Sequence, residues 1–178
     1  MKRRLLTQPN AADAGFTLLE ILVVLIIVGI LAAIAAPNWV RYRANRQVQA
    51  VQGELRQVLE QAQTDARVKR ETQTITIDVE ADIPTVTVES VSEGLREITL
   101  VEDDLRPGLI TLETTAVDEN FAFGHQGVVD ETFIINVVSE NTNRPHCVAA
   151  LSLIGGVVSG SDDDCAEIEA ALLENNDD

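Results

Sequence analysis

Hydrophobic and polar positions follow three different periods along the chain. Residues 16–36, FTLLEILVVLIIVGILAAIAA, are apolar on every side, and Glu20 is the single charge among them. As a helix this run spans roughly 30 Å, the thickness of a bilayer's hydrocarbon core. Residues 37–71 change to a three- and four-residue spacing, with Val40, Ala44, Val48, Val51, Leu55, Val58, Leu59, Ala62 and Ala66 recurring on one side. That spacing predicts an amphipathic helix of about nine turns. Pro37 stands at the junction and is expected to kink or interrupt the helix. Gly29 and Gly53 weaken it more mildly. The two stretches together predict a rod from about Thr17 to about Arg70, roughly 80 Å long.

From Thr72 the period falls to two. Ile75, Ile77 and Val79 alternate with Thr74, Thr76 and Asp78, and Val86 and Val88 alternate with Thr85, Thr87 and Glu89. Further candidate strands are LREITLVE around Ile98 and Leu100, LITLE at residues 109–113 after the turn signal Arg106-Pro107-Gly108, and Phe121-Ala122-Phe123 before Gly124. ETFIINVV (131–138) and HCVAALSL (146–153) are longer and strongly apolar, and Gly155-Gly156 precedes a short Val157-Val158-Ser159. One long helix followed by a run of strands predicts an α+β fold, with the helix packed on an antiparallel β-sheet over residues 72–160. Residues 161–178 read as an acidic tail, in part a short helix with a frayed end.

Composition narrows the function. The chain has 178 residues, 46% of them hydrophobic, which supports one packed domain with an appendage. Aromatic residues are only 3%, and 29 acidic against 13 basic residues give a net charge of −16. A nucleic-acid surface needs cations and stacking platforms, so nucleic acid is an unexpected partner. Two cysteines and two histidines leave no zinc-finger type of metal site. No nucleophile–base arrangement, phosphate loop or paired catalytic carboxylate stands out; no catalytic residue, metal or cofactor is assigned, and no pocket with converging polar groups is expected.

The first fifteen residues, MKRRLLTQPNAADAG, place Lys2, Arg3 and Arg4 before the apolar run, so the N-terminus is expected on the cytoplasmic side and the rest outside. Three readings compete: an uncleaved signal anchor, a cleaved secretory signal, and a special signal that explains Glu20. Secretory signals have shorter apolar regions of about 7–15 residues. A carboxylate inside a membrane helix costs roughly 2.5–3.5 kcal/mol and calls for a partner, unless it snorkels to water.

The sequence Gly15-Phe16-Thr17-Leu18-Leu19-Glu20 resembles the type IV prepilin signal, in which a basic leader ends in Gly, Phe follows, and Glu is the fifth mature residue. The resemblance implies cleavage between Gly15 and Phe16 by a prepilin peptidase, methylation of the new Phe16 amine, and pairing of Glu20 with the N-terminal amine of a neighbouring subunit. Glu20 would then fix the register between helices. Loss of residues 1–15 removes three basic side chains and Asp13, which leaves the remainder more acidic still. The segment FAFGHQGVVDETFIINVVSENTNRPHCVAALSLIGGVVSG further resembles the C-terminal half of the GspH/FimT family, through Phe123 with Gly127, the apolar strand 133–138, the polar hairpin 139–144, Cys147 to Ser152, and the Gly-led 155–159.

That resemblance implies a minor pilin or pseudopilin that primes, caps or decorates a type IV pilus or a type II secretion pseudopilus. Its implied partners are other pilins or pseudopilins, the prepilin peptidase, an inner-membrane assembly platform, and membrane lipid before assembly. Its implied location is the cytoplasmic membrane, single-pass, with the C-terminal domain outside, and then the fibre. Some DNA-receptor members carry Gly-Arg-x-Arg at the final strand. Here Gly155-Gly156-Val157-Val158 has no arginine, and Arg96, Arg106 and Arg144 are the few cations of the strand region. A ligand- or DNA-binding minor pilin and an unprocessed membrane-anchored binding domain are the alternatives.

If the domain is exported, Cys147 and Cys165 are free to oxidise. The bridge would close a loop of about 18 residues and contribute around 3 kcal/mol in the chain-entropy model; the alternative is two unpaired thiols. It would pin the acidic tail to the sheet. Asp162, Asp163 and Asp164 are oxygen ligands of the kind calcium takes, without EF-hand spacing, and an acidic run of this sort is ordinarily a solvated loop. His125 and His146 are expected at a turn or strand edge. Trp39 and Tyr42 fall where an interfacial aromatic belt is expected; Arg41, Arg43 and Arg46 meet either headgroups or water.

Overall fold

A computed structural model describes residues 16–100, 107–142, 144–151 and 156–175. The leader with Gly15, the end of the third expected strand at Val101 and Glu102, Arg106, and residues 152–155 lie outside the described residues. The chain divides into two compact units, Met1–Trp39 and Val40–Asp178.

Helix α1 covers Leu18–Lys69. It is assigned without a break through Gly29, Pro37 and Gly53, so the interruption expected at Pro37 does not occur. Proline removes one amide donor without ending the helix. Arg70, in the left-handed region at φ 57°, ends the helix, with Arg67 and Lys69 in its last turn where the dipole favours cations.

In the second unit Ala44, Val48, Val51, Leu55, Leu59, Ala62 and Ala66 are all buried, the stripe that the spacing predicts. Val40 departs from it and is exposed, while Val58 is half-buried.

The strands form two antiparallel sheets rather than the single one expected. β1 (Gln73–Asp78), β2 (Thr85–Ser90) and β3 (Gly94–Thr99) make a meander, and β5 (Asn120–Phe123) closes its other side in the order β3-β2-β1-β5. β4 (Ile110–Thr114), β6 (Phe133–Ser139), β7 (His146–Ala150) and β8 (Val158–Ser161) form the second sheet in the order β4-β6-β7-β8. The chain thus crosses to the second sheet at β4, returns for β5, and crosses again. Registers such as Ile75↔Val88 and Ile135↔Val148 place apolar partners opposite each other on the inner faces.

One core joins both sheets to the second half of α1. Its centre holds Phe121, whose ring stacks on Phe133 at 3.7 Å between centroids and meets Phe123 edge-on at 5.8 Å. A second, smaller cluster lies on the opposite face of the second sheet. There Ile134, Cys147 and Ala149 pack against Cys165 and Leu172 of α2 (Asp163–Asn175). β7 is therefore buried at every position, which is why HCVAA reads as a continuous apolar run rather than an alternating one.

Candidate functional site

The first unit presents its apolar residues outward. Every residue from Phe16 to Ala36 is exposed, including Phe16 at 76% and Leu18 at 86%. A helix that is hydrophobic all round belongs in lipid or in the core of a larger assembly. Helix α1 is long and apolar enough over this part to cross a membrane. At its start the Glu20 amide donates to the Thr17 carbonyl at 3.1 Å and to Thr17 Oγ1 at 3.2 Å. Thr17 is therefore the N-cap and Glu20 the third helical residue, the Thr-x-x-Glu spacing of a capping box. The carboxylate also lies in the first turn, where the helix dipole favours negative charge.

In the second unit a polar cluster ties α1 to the second sheet. Gln52 Nε2 donates to the Cys147 carbonyl at 2.9 Å and to the Gly160 carbonyl at 2.6 Å. With both amide hydrogens committed, Gln52 Oε1 faces His146 Nδ1 at 3.2 Å, and that nitrogen carries the donating hydrogen. Asn45 Oδ1 stands 3.2 Å from His146 Nε2. A neutral ring accepts there from the Asn45 amide turned to present its NH2, and an imidazolium donates to its oxygen. His146 is 2% exposed. Burial lowers its pKa below the ordinary value, Asp162 partly opposes the shift, and Arg144 adds to it.

Two glycines allow close approach around this frame. Gly160 sits under α2, where a β-carbon would come within 2.9 Å of Asp164 Cβ and 3.0 Å of Ile168 Cδ1. Gly127 has φ 71°, and a β-carbon there would collide with the Arg67 side chain. Arg67 Nε donates to the Gln126 carbonyl at 3.2 Å and Gln63 Nε2 to the Gly127 carbonyl at 2.9 Å. The loop after β5 is thereby fastened to the last turns of α1.

Cys147 and Cys165 are disulfide-bonded, with Cα atoms 5.8 Å apart. The acidic segment is thus a helix docked on the sheet. Asp162 turns the chain at φ 53°, donates its amide to the Pro145 carbonyl at 2.9 Å and faces Arg144 at 3.9 Å. Asp163 and Asp164 form the first turn of α2. Among the described residues no group of three or more His, Cys, Asp or Glu is placed to hold a metal ion.

Beside this corner lies a cavity of about 450 Å³, lined by Glu113, Asn136, Arg144, Asp162 and Glu169 among others. The sequence predicts no pocket with converging polar groups; here β4, β6, α2 and the residue before Pro145 each bring a polar side chain to one. No histidine lines it, and its cysteine, Cys165, is held in the disulfide.

Of the residues singled out from the sequence, Phe16 lies just before α1, Glu20 in its first turn, Pro37 within it, and the cysteines in one bond. His125 lies in the turn after β5, while His146 begins β7 and is buried against α1. The Asn45–His146–Gln52 cluster escaped the sequence reading. Its available signal was a pair of amides seven residues apart on one helix face, too common to single out. Thr17 escaped it as a cap although Thr-x-x-Glu was legible.

Comparisons with known proteins bear on the N-terminal motif and on the fold. Residues 10–36 match the prokaryotic N-terminal methylation motif. A stretch of 35 residues is 51% identical to the type IV major pilin protein PilA of Myxococcus xanthus (strain DK1622), covering 20% of this chain. The match spans 16% of that protein's length. Among solved structures, the minor pseudopilin EpsH from the type 2 secretion system of Vibrio cholerae superposes with a TM-score of 0.50 at 13% identity, over 65% of this chain and 97% of that one. The type IV minor pilin FimU of Pseudomonas aeruginosa (strain PAO1) gives a TM-score of 0.48 at 16% identity, over 64% of this chain and 87% of that one. The chain carries a prepilin-type methylation motif on a pilin-like fold.

Proposed function

We propose that this chain is a minor pilin or pseudopilin, a structural and non-catalytic subunit. It is made as a membrane-inserted precursor, cut between Gly15 and Phe16 by a prepilin peptidase and methylated at Phe16. It is held in the cytoplasmic membrane by residues 16–36 and then built into a fibre by helix packing, through an inner-membrane assembly platform. There it primes, caps or decorates the fibre. The observation that carries this reading is the methylation motif at residues 10–36, running into a helix whose residues are all exposed as far as Ala36. Such a surface is stable only in lipid or against other helices. The pilin-like fold supports the same reading.

Mass spectrometry of the N-terminus of protein recovered from native membranes tests it. A peptide beginning at methylated Phe16 is expected, and Gly15→Glu should abolish it. An intact Met1 leader on the membrane-resident protein would refute the reading and leave a membrane-anchored binding domain.

A further inference from the structure

From the region just beyond the apolar run we infer a binding site for the phosphodiester headgroups of anionic phospholipids, formed by Arg41, Arg43 and Arg46. This rests on the membrane-anchored reading above and adds a lipid specificity to it. All three side chains are exposed, and among the described residues none has a carboxylate within ion-pair distance. No Asp or Glu occurs between Glu20 and Glu54, in a chain where acidic residues outnumber basic ones 29 to 13. The cations of this segment are thus unopposed along their own helix, while most acids lie in the strand region.

The position selects the anion. A headgroup layer of roughly 5–8 Å is crossed by about four or five helical residues. Arg41 stands five residues past Ala36, the end of the run, and Arg46 ten. Helical side chains lean toward the N-terminus, and arginine stems are long enough to bring guanidinium groups back toward phosphates. Guanidinium binds phosphate through paired N–H donors. Arg46 is already oriented, its Nε 3.2 Å from Tyr42 Oη and its guanidinium 5.4 Å from the Tyr42 ring centre. Three arginines on the outer flank also run against the usual cytoplasmic bias of basic residues, so orientation alone does not explain them. The leader's Lys2, Arg3 and Arg4 would stand at the opposite surface.

Trp39 is the chain's single tryptophan, two residues before Arg41, and reports the lipid at that end. The full chain is reconstituted into vesicles of phosphatidylcholine with phosphatidylglycerol, one lipid or the other brominated near the headgroup, and Trp39 quenching is compared. Flotation with pure phosphatidylcholine vesicles is measured in parallel. The expected result is flotation regardless of lipid charge and about five-fold preferential quenching by the anionic lipid. The preference should shrink at high salt and vanish in Arg41→Gln/Arg43→Gln/Arg46→Gln, which still floats.

Equal quenching by both lipids in a chain that floats would overturn the lipid site while leaving the membrane reading intact. Equal quenching together with loss of self-association in the triple variant would assign the arginines to acidic groups of a second copy instead. Failure to float in any lipid would overturn both.

Discussion

Gln52 on α1 donates one amide hydrogen to the carbonyl of Cys147, the residue whose sulfur is bonded to Cys165. Its other hydrogen goes to Gly160 on β8, and its oxygen faces His146. One half-buried side chain thus holds α1 to two strands and grips the backbone of the same residue that anchors α2 covalently. Gln52→Leu keeps the volume and leaves a histidine N–H and two carbonyls without this partner. A loss of about 2–3 kcal/mol in unfolding free energy is expected in urea titration of the detergent-solubilised chain. A change within a few tenths would show that the three bonds are replaceable by water.

The disulfide holds α2 on the outer face of the second sheet, where Cys165 and Leu172 cover Ile134 and Ala149. Cys147→Ala/Cys165→Ala should cost about 3 kcal/mol by loop-closure entropy. Hydrogen exchange should rise first in residues 163–172, because the remaining cover is small, while β1 and β2 keep their protection. Uniform loss of protection across both sheets would mean that α2 is part of the global folding unit.

Acid should loosen the same corner. His146 has a folded-state pKa below its ordinary 6.5, chiefly because burial disfavours the charged ring. The unfolded chain therefore takes up the proton first as pH falls. The contribution to stability is full above about pH 6.5 and declines as the pH drops toward the folded value. The melting temperature should fall between pH 7 and pH 5, and His146→Gln should flatten that dependence.

The elements were legible in the sequence where one face alone is buried. Ile75 and Ile77 alternate cleanly because β1 has one inner face, and the stripe from Ala44 to Ala66 follows from packing one side of α1. Legibility failed where a second layer intervenes. Nothing in residues 109–123 announces that β4 and β5 belong to different sheets, since that depends on which edge each strand finds late in the chain. β3 begins at Gly94, within one residue of the expected LREITLVE, but its Leu95 is exposed because the strand pairs at the rim of the first sheet. Buried polar partners were hidden for a similar reason: Asn45 and His146 are 101 positions apart, and periodicity speaks only of neighbours.

Gly127 and Arg67 provide a test of close approach. Gly127→Ala must accept a left-handed backbone and displace the Arg67 side chain from the Gln126 carbonyl. A cost of about 1–2 kcal/mol is expected. In an Arg67→Ala background the displacement disappears and only the backbone part remains, so a double-mutant cycle should show coupling of at least about 0.5 kcal/mol. Additive effects would mean that the arginine simply swings aside.

The proposed function gives Glu20 a pairing role beside its place in the helix cap, and one substitution series separates the two. As the third residue of a helix capped by Thr17 it stands where a negative charge suits the dipole and where a capping-box side chain reaches back toward the cap. As a lone carboxylate in an apolar run it also needs a compensating cation once it leaves water, which in the proposed fibre comes from another chain. Gln at the same place serves a capping box nearly as well as Glu but carries no charge. If the cap were the main role, Glu20→Gln would assemble normally and Glu20→Ala poorly. If the charge decides, both variants insert in the membrane and both fail to enter fibres. We expect the second outcome, read as monomer retained in the membrane fraction and absent from sheared fibres, because a cap contributes only about 1 kcal/mol while an unpaired buried charge costs several times that. Rescue of assembly by Glu20→Gln would refute the pairing role and leave Glu20 as a helix cap.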